Sequence, residues 1–269
     1  MNLDTYTTEM AKSVWDKSFF MDKIIGAKVV LDFGCADGAM IRFLAPLFPD
    51  ITFIGYDINS ELIHQAQFAI DDFDFTPNMI FYNSEKFNTM ITDIKKKFSS
   101  EEICINFSSV LHEIFSSHME GRSTIKYLME QLQPRYITIR DMYFGSCGNG
   151  HGGYYLDKYE VDTILNNVNV NRYYSKQFES TFGSLTDPRN LIHFLMKYQW
   201  KDNGWEDEME EDYFGWNFSI IDKTLWNYDD YTIIFEAEYM LPYLRQIWKN
   251  SGLDCEAYTT HGQFILERR

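Results

Sequence analysis

Two carboxylates and two glycines, spaced around the end of an apolar run, carry the most legible chemistry in this 269-residue chain. The run Val29 to Leu31 leads through Asp32 and Phe33 into Gly34, Cys35, Ala36, Asp37 and Gly38, and a helical pattern follows at once from Ala39 to Leu47. A strand that breaks into a tight glycine turn at a helix N-terminus builds the nucleotide crevice of a doubly wound sheet. Nineteen residues past Gly38, a second apolar run, Ile51 to Tyr56, ends in Asp57, a carboxylate placed to accept both hydroxyls of a ribose. The turn reads G-x-A-x-G rather than the phosphate-binding G-x-G-x-x-G, and it is flanked by Asp32 and Asp37. Acids there suit a ligand carrying an ammonium or sulfonium better than one carrying a pyrophosphate.

A strand-end acid followed by small residues at alternate positions resembles motif I of the class I S-adenosylmethionine (SAM) dependent methyltransferases. The resemblance implies SAM as cofactor and transfer of its sulfonium methyl group. By position it places Asp32, Gly34, Cys35 and Gly38 on the methionine side, Asp57 on the ribose and Ile58 against the adenine. Asn83 and Ser84 take the place of the family's adenine-facing acid, without its charge, and Phe107 joins the cofactor's lining. Ala36 stands where the family has its middle glycine.

After the fourth strand, Asn106 to Ile114 (NFSSVLHEI) resembles the V-L-H-x-I/L pattern of methyltransferases acting on metabolites and some RNAs. There His112 or Glu113 would face the acceptor as general base or orienter; a histidine on a first helical turn also serves in packing or capping. The N/D-P-P-Y/F run of amino-directed DNA methyltransferases and the Pro-Cys nucleophile of five-carbon cytosine methylation are both missing from this stretch. His112, Glu113 and His118 lack the H-E-x-x-H spacing, so no metal is expected. Arg140 and Asp141 end the fifth strand near the same crevice, placed to contact substrate or to pair with each other.

The elements that must position these groups alternate between strand and helix through residue 143, the pattern of a parallel sheet. Strands are expected at 28–33, 51–57, 79–82, 103–107 and 136–143, with helices from Ser60 to Ile70 and Glu85 to Phe98 between them. Residues 1–25 read as one or two amphipathic helices using Met10, Val14, Trp15, Phe19 and Phe20. Residues 145–153 hold five glycines in nine positions, a loop of high backbone freedom leaving the ligand-binding edge of strand five. Helices are expected at 157–168, 188–198, 206–213 and 241–250, and strands at 231–239 and 256–267. The fold class is α/β: a doubly wound, mostly parallel seven-stranded sheet with helices on both faces and a helical cap after strand five. The core is 1–144 with 231–269, and 145–230 is an inserted lid or cap for substrate.

Composition bounds the partners. The net charge of −16 opposes nonspecific binding to a phosphate backbone. Residues 200–230 contribute about half of it, with ten acids against two bases. The cap is also rich in rings, from Tyr198 through Trp200, Trp205, Tyr213, Phe214, Trp216, Phe218 and Trp226 to Tyr228. They form either a pocket for a cationic or aromatic acceptor or the cap's own small core. The four cysteines are scattered without a C-x-x-C pair, which fits reduced thiols in a cytoplasmic protein. No apolar stretch approaches a membrane span. The sequence thus points to a SAM-dependent methyltransferase with a small-molecule acceptor. The alternatives are an RNA or nucleotide methyltransferase, and a non-catalytic SAM-binding regulatory or interaction protein. Oligomeric state is not legible.

Overall fold

The computed structural model describes residues 13–71, 78–117, 119–145, 155–224, 227 and 230–269. Its centre is one sheet of seven strands in the order β3-β2-β1-β4-β5-β7-β6. The strands are β1 Val29–Phe33, β2 Thr52–Tyr56, β3 Met79–Tyr82, β4 Ile103–Ser108, β5 Tyr136–Met142, β6 Tyr231–Tyr239 and β7 His261–Arg268. β1 to β5 run parallel, and β7 lies antiparallel between β5 and β6. Every residue of β1 and β4 is buried, as a central strand covered on both faces requires. Edge strand β6 mostly alternates between exposed and half-buried residues.

Alternate residues of β1 feed two different cores, because successive side chains point to opposite faces of a sheet. Val29, Leu31 and Phe33 pack with Met90, Ile91 and Ile94 of one helix and Ile125 and Leu128 of another. These helices are α4 (Phe87–Lys97) and α6 (Met119–Leu132). Val30 packs on the other side with Phe20, Ile24, Met40, Ile41 and Ile63. The last two come from α2 (Ala39–Leu44) and α3 (Ser60–Asp71), while α1 is a single turn, Val14–Lys17. Strand order reverses between β1 and β4, so the ligand crevice opens at the carboxyl ends of those two strands.

Between β5 and β6 lie helices at Lys158–Asn167, Arg172–Phe182, Pro188–Lys197, Trp205–Glu208 and Phe218–Thr224. Their rings mainly pack on one another. Phe178, Phe194, Trp205, Tyr213 and Phe214 form one cluster with Val161, Ile164 and Leu191, whereas Trp216 and Ile221 join the core under the sheet. Trp226, Tyr228, His118 and most of the glycine loop lie outside the described residues.

Several expected elements change length or character. The helix expected over 206–213 ends at Glu208, since carboxylates crowd Glu206 to Asp212 and like charges at helical spacing repel. Strand seven begins at His261 rather than 256. Asp254 ties Glu256 and Ala257 into a turn, accepting from the N–H of Glu256 with its side chain (3.1 Å) and from that of Ala257 with its carbonyl (3.1 Å). Near the N-terminus turns follow α1, Met10 is outside the described residues, and Trp15 is 76% exposed while Phe20 is fully buried.

Candidate active site

The glycine turn is shaped by backbone that other residues resist. Gly34 and Gly38 have φ of +82° and +74°, a region costly for residues with a Cβ. A Cβ at Gly34 would stand 2.7 Å from Val110, and one at Gly38 would stand 2.5 Å from the Phe81 ring. Most amides of the turn are already committed. Those of Gly34 and Cys35 donate to the Tyr56 carbonyl at 2.8 and 3.0 Å, and that of Ala36, itself at φ +50°, donates to Asp57 Oδ2 at 2.8 Å. Such a loop has few N–H groups left to wrap a phosphate. Asp37 is engaged by Arg42 at 2.9 Å.

Asp32 is buried and accepts from Asn106 Nδ2 at 2.8 Å, and the Asn106 oxygen accepts from Thr138 Oγ1 at 2.7 Å. Burial pushes its carboxyl up to about 6, while the Asn106 bond and the charge of Lys17 pull the other way, so it is mostly ionised at neutral pH. The cleft above it is lined by Val14, Lys17, Asp32, the turn from Gly34 to Asp37, Ala39, Met40, Ser108 and Ser109. Cys35 lines it as a neutral group, its buried thiol held well above the ordinary range.

Toward β2 and β3, Asp57 also accepts from the Asn59 amide at 2.8 Å. Burial raises its carboxyl, against three backbone hydrogen bonds that lower it. Ile58 beside it is 77% exposed, an apolar face open at the crevice mouth. Asn83 donates to Ser60 Oγ at 3.1 Å, and its Oδ1 is buried with no hydrogen-bond partner among the described residues. Ser84 is exposed at the start of a short 3-10 turn. Ser108 Oγ is likewise buried and unpartnered. A buried polar atom without a partner costs about 1–3 kcal/mol, and these two stand on opposite sides of the β1 turn. A ligand with an adenine and an amino-acid end would offer partners to both, so the residues present fit SAM. Phe107 does not line the cleft. Its ring is fully buried, 5.7 Å from that of Phe33, so its side chain supports the floor from beneath.

The helix start that follows β4 is organised by Asp141. Its Oδ2 accepts from the amides of Val110 (3.0 Å), Leu111 (2.7 Å) and, longer, His112 (3.4 Å), capping the helix α5 (Leu111–Ser117). Its Oδ1 takes the Met142 amide at 2.7 Å and meets His112 Nδ1 at 2.6 Å. Burial would raise this carboxyl, but the imidazolium and these bonds hold it below its ordinary range. Burial alone would lower His112; the charge of Asp141 and its hydrogen bond win, and the ring is pushed up to about 9. Nδ1–H therefore donates to Asp141, and Nε2 faces Glu211 of the cap at 3.9 Å. Glu113 follows on the next position with its side chain reaching the surface; partial desolvation and the nearby carboxylates of Glu211 and Asp141 raise its carboxyl against the pull of His112.

Arg140 and Asp141 do not pair with each other. Neighbours along a strand point to opposite faces, and Arg140 reaches Asp16 (2.6 Å) and Ser109 (2.8 Å) on the side away from His112. The cap touches α5 directly: Ser116 Oγ bonds the backbone of Asp212, and the Tyr213 ring stands edge-on to His112 at 5.5 Å. Behind Tyr213 lies Lys197, fully buried, its ammonium 3.8 Å from that ring's centre.

The parts played by Lys17, Ser108 and the His112–Asp141 pair are not visible in the sequence. Lys17 sits in no motif, and Asp141 is 29 positions from its partner. The signal that could have found the pair is the placement of both at carboxyl ends of neighbouring strands.

Residues 26–109 match a family model described as "Putative methyltransferase". No curated protein matches the chain. Solved structures similar to it include a SAM-dependent methyltransferase from Methanosarcina mazei, with 15% identity, 93% of this chain and 96% of that one covered, and a TM-score of 0.49. The methyltransferase domain of bacterial CtHen1 has 12% identity, 99% coverage of each chain and a TM-score of 0.49. The plantazolicin methyltransferase BamL, in complex with a triazolic desmethylPZN analog and SAH, has 15% identity, 99% and 88% coverage and a TM-score of 0.43.

Proposed function

We propose that this chain, a class I SAM-dependent methyltransferase by its sheet order and the family its core matches, methylates a small molecule held between the end of β4 and a cap at 145–230. The observation that carries the acceptor class is the set of acids about His112. Glu113 is beside it and Glu211 stands 3.9 Å from Nε2. A phosphate backbone would meet those carboxylates on a chain of net charge −16, and like charges repel most strongly where water is partly excluded.

When bound, SAM would supply a methyl group on a sulfonium; an acceptor lone pair takes that carbon as its bond to sulfur breaks, leaving a neutral thioether. The chain's residues bind and orient. Asp57 accepts from the ribose hydroxyls, Asn83 Oδ1 accepts from the adenine amino group with Ser84 beside it, and Ile58 covers the adenine face. Asp32 and the turn from Gly34 through Cys35 to Gly38 face the methionine end. His112, protonated at neutral pH, is a donor: its Nε2–H orients the acceptor heteroatom. Glu113, the next residue on the same helical turn, takes the acceptor's proton as general base while the new bond forms. The cap and the acids it carries exclude water and polyanions.

The test is transfer of labelled methyl from SAM to two pools, cellular small molecules and total RNA. Label is expected in the small-molecule pool. Label in RNA would overturn the acceptor class, and tight cofactor binding with no label in either pool would favour a SAM-binding regulator instead.

A further inference from the structure

The methionine end of SAM carries two charges on one carbon, an ammonium and a carboxylate, and the site as read so far answers only the first. Asp32 suits the ammonium. The carboxylate would enter a cleft holding Asp32 and Asp37, with Asp57 close by, and would be repelled unless a cation were fixed beside it. Among the described residues lining that cleft, Lys17 is the single basic side chain.

Lys17 is held there from both sides. One residue before it, Asp16 grips Arg140 at 2.6 Å and the Tyr239 hydroxyl at 2.6 Å, while Gln263 Nε2 donates to both its side chain and its carbonyl at 2.9 Å. Three residues after it, Phe20 is fully buried in the core. The root of the lysine side chain is thereby clamped over the cleft by contacts with β5, β6 and β7 on one side and the core on the other. Lys17 is itself 9% exposed, and the charges of Asp32 and Asp141 reach it. Burial and the nearby Arg140 lower its ammonium to about 8; an arriving carboxylate would favour the charged form again.

We propose that Lys17 is the counter-charge for the cofactor's carboxylate, and that Lys17 and Asp32 together recognise its amino-acid end as a zwitterion. The inference rests on the cofactor reading above. It assigns the segment before β1, which the family match does not reach, a part in choosing the cofactor.

The experiment titrates the full chain calorimetrically with SAM and with decarboxylated SAM, which lacks only that carboxylate. Wild type is expected to bind SAM at least about tenfold more tightly, as for a charge-assisted contact of roughly 1.5–3 kcal/mol. Lys17→Met should lose that preference by weakening SAM alone, and Lys17→Arg should keep most of it. Equal weakening toward both ligands, or a wild type that does not distinguish them, would overturn the proposal and leave Lys17 as a structural residue. Wild type binding neither ligand would instead overturn the cofactor reading beneath it. The wild-type comparison needs no variant, so a misfolded substitution cannot obscure the outcome.

Discussion

Asp57→Ala is expected to weaken SAM binding about a hundredfold or more. Two hydrogen bonds from ribose hydroxyls to a carboxylate contribute roughly 1.5–3 kcal/mol each, and losing about 3 kcal/mol is a factor of over a hundred in Kd. The same carboxylate also holds the amides of Ala36 and Asn59, each at 2.8 Å. Ala36 sits at φ +50°, a conformation that persists only where its surroundings hold it. Removing the side chain therefore loosens the glycine turn as well as the ribose contact. Asp57→Asn, which keeps the shape and loses the charge, should fall between. Calorimetric titration checks both, and an Asp57→Ala affinity within about threefold of wild type would remove Asp57 from the ribose.

Asp141→Asn is expected to be the most destabilising single polar change in the site. The carboxylate faces four backbone amides and the His112 ring with no exposure to solvent. Breaking a buried charge pair by removing one partner costs about 3–5 kcal/mol. In a chain of this size that lowers Tm by roughly 10 °C. Thermal melts test it, and a loss of only a degree or two would mean that the pair contributes little.

The pH dependence follows from the same contact. His112 keeps its proton to about pH 9 in the folded chain, whereas an unfolded histidine releases it near 6.5. Its stabilisation is therefore complete below about 6.5 and is lost as pH rises through 9. Lys17 and Lys197, both lowered to about 8 by burial, act oppositely at higher pH, where the unfolded chain binds more protons. Glu113, raised to about 7, also titrates between pH 6.5 and 8, so His112 is isolated there by the difference between wild type and a variant lacking its ring. Across that window wild type should lose stability relative to His112→Asn, and parallel curves would deny the pairing.

The parts of the molecule legible in the sequence are those fixed by local chemistry. The strand-turn-helix at Val29 to Leu44 and the carboxylate closing β2 are written in apolar runs, glycines and acids close together, and the parallel sheet follows from their alternation with helices. The helix Arg172–Phe182 carries only a faint local signal: Asn171 caps it by accepting from the Tyr173 amide at 3.0 Å, and Tyr174, Phe178 and Phe182 recur every fourth residue on one side. Polar residues on its other faces hide that stripe. The His112–Asp141 pair and the placement of Lys17 arise from neighbours in the sheet that are distant in the chain, and no local pattern encodes them. The division of labour between His112 and Glu113 was likewise out of reach, because it depends on which group Asp141 touches.

The measurement that tests the central claim most directly is a calorimetric titration of the wild-type chain with SAM and with its demethylated product, S-adenosylhomocysteine. The account predicts that both bind at one site with micromolar affinity, about −8 kcal/mol, because the ribose, adenine and methionine contacts are common to the two. Absence of binding by both at millimolar concentration would contradict it, leaving the sheet and its glycine turn without the cofactor they are proposed to hold.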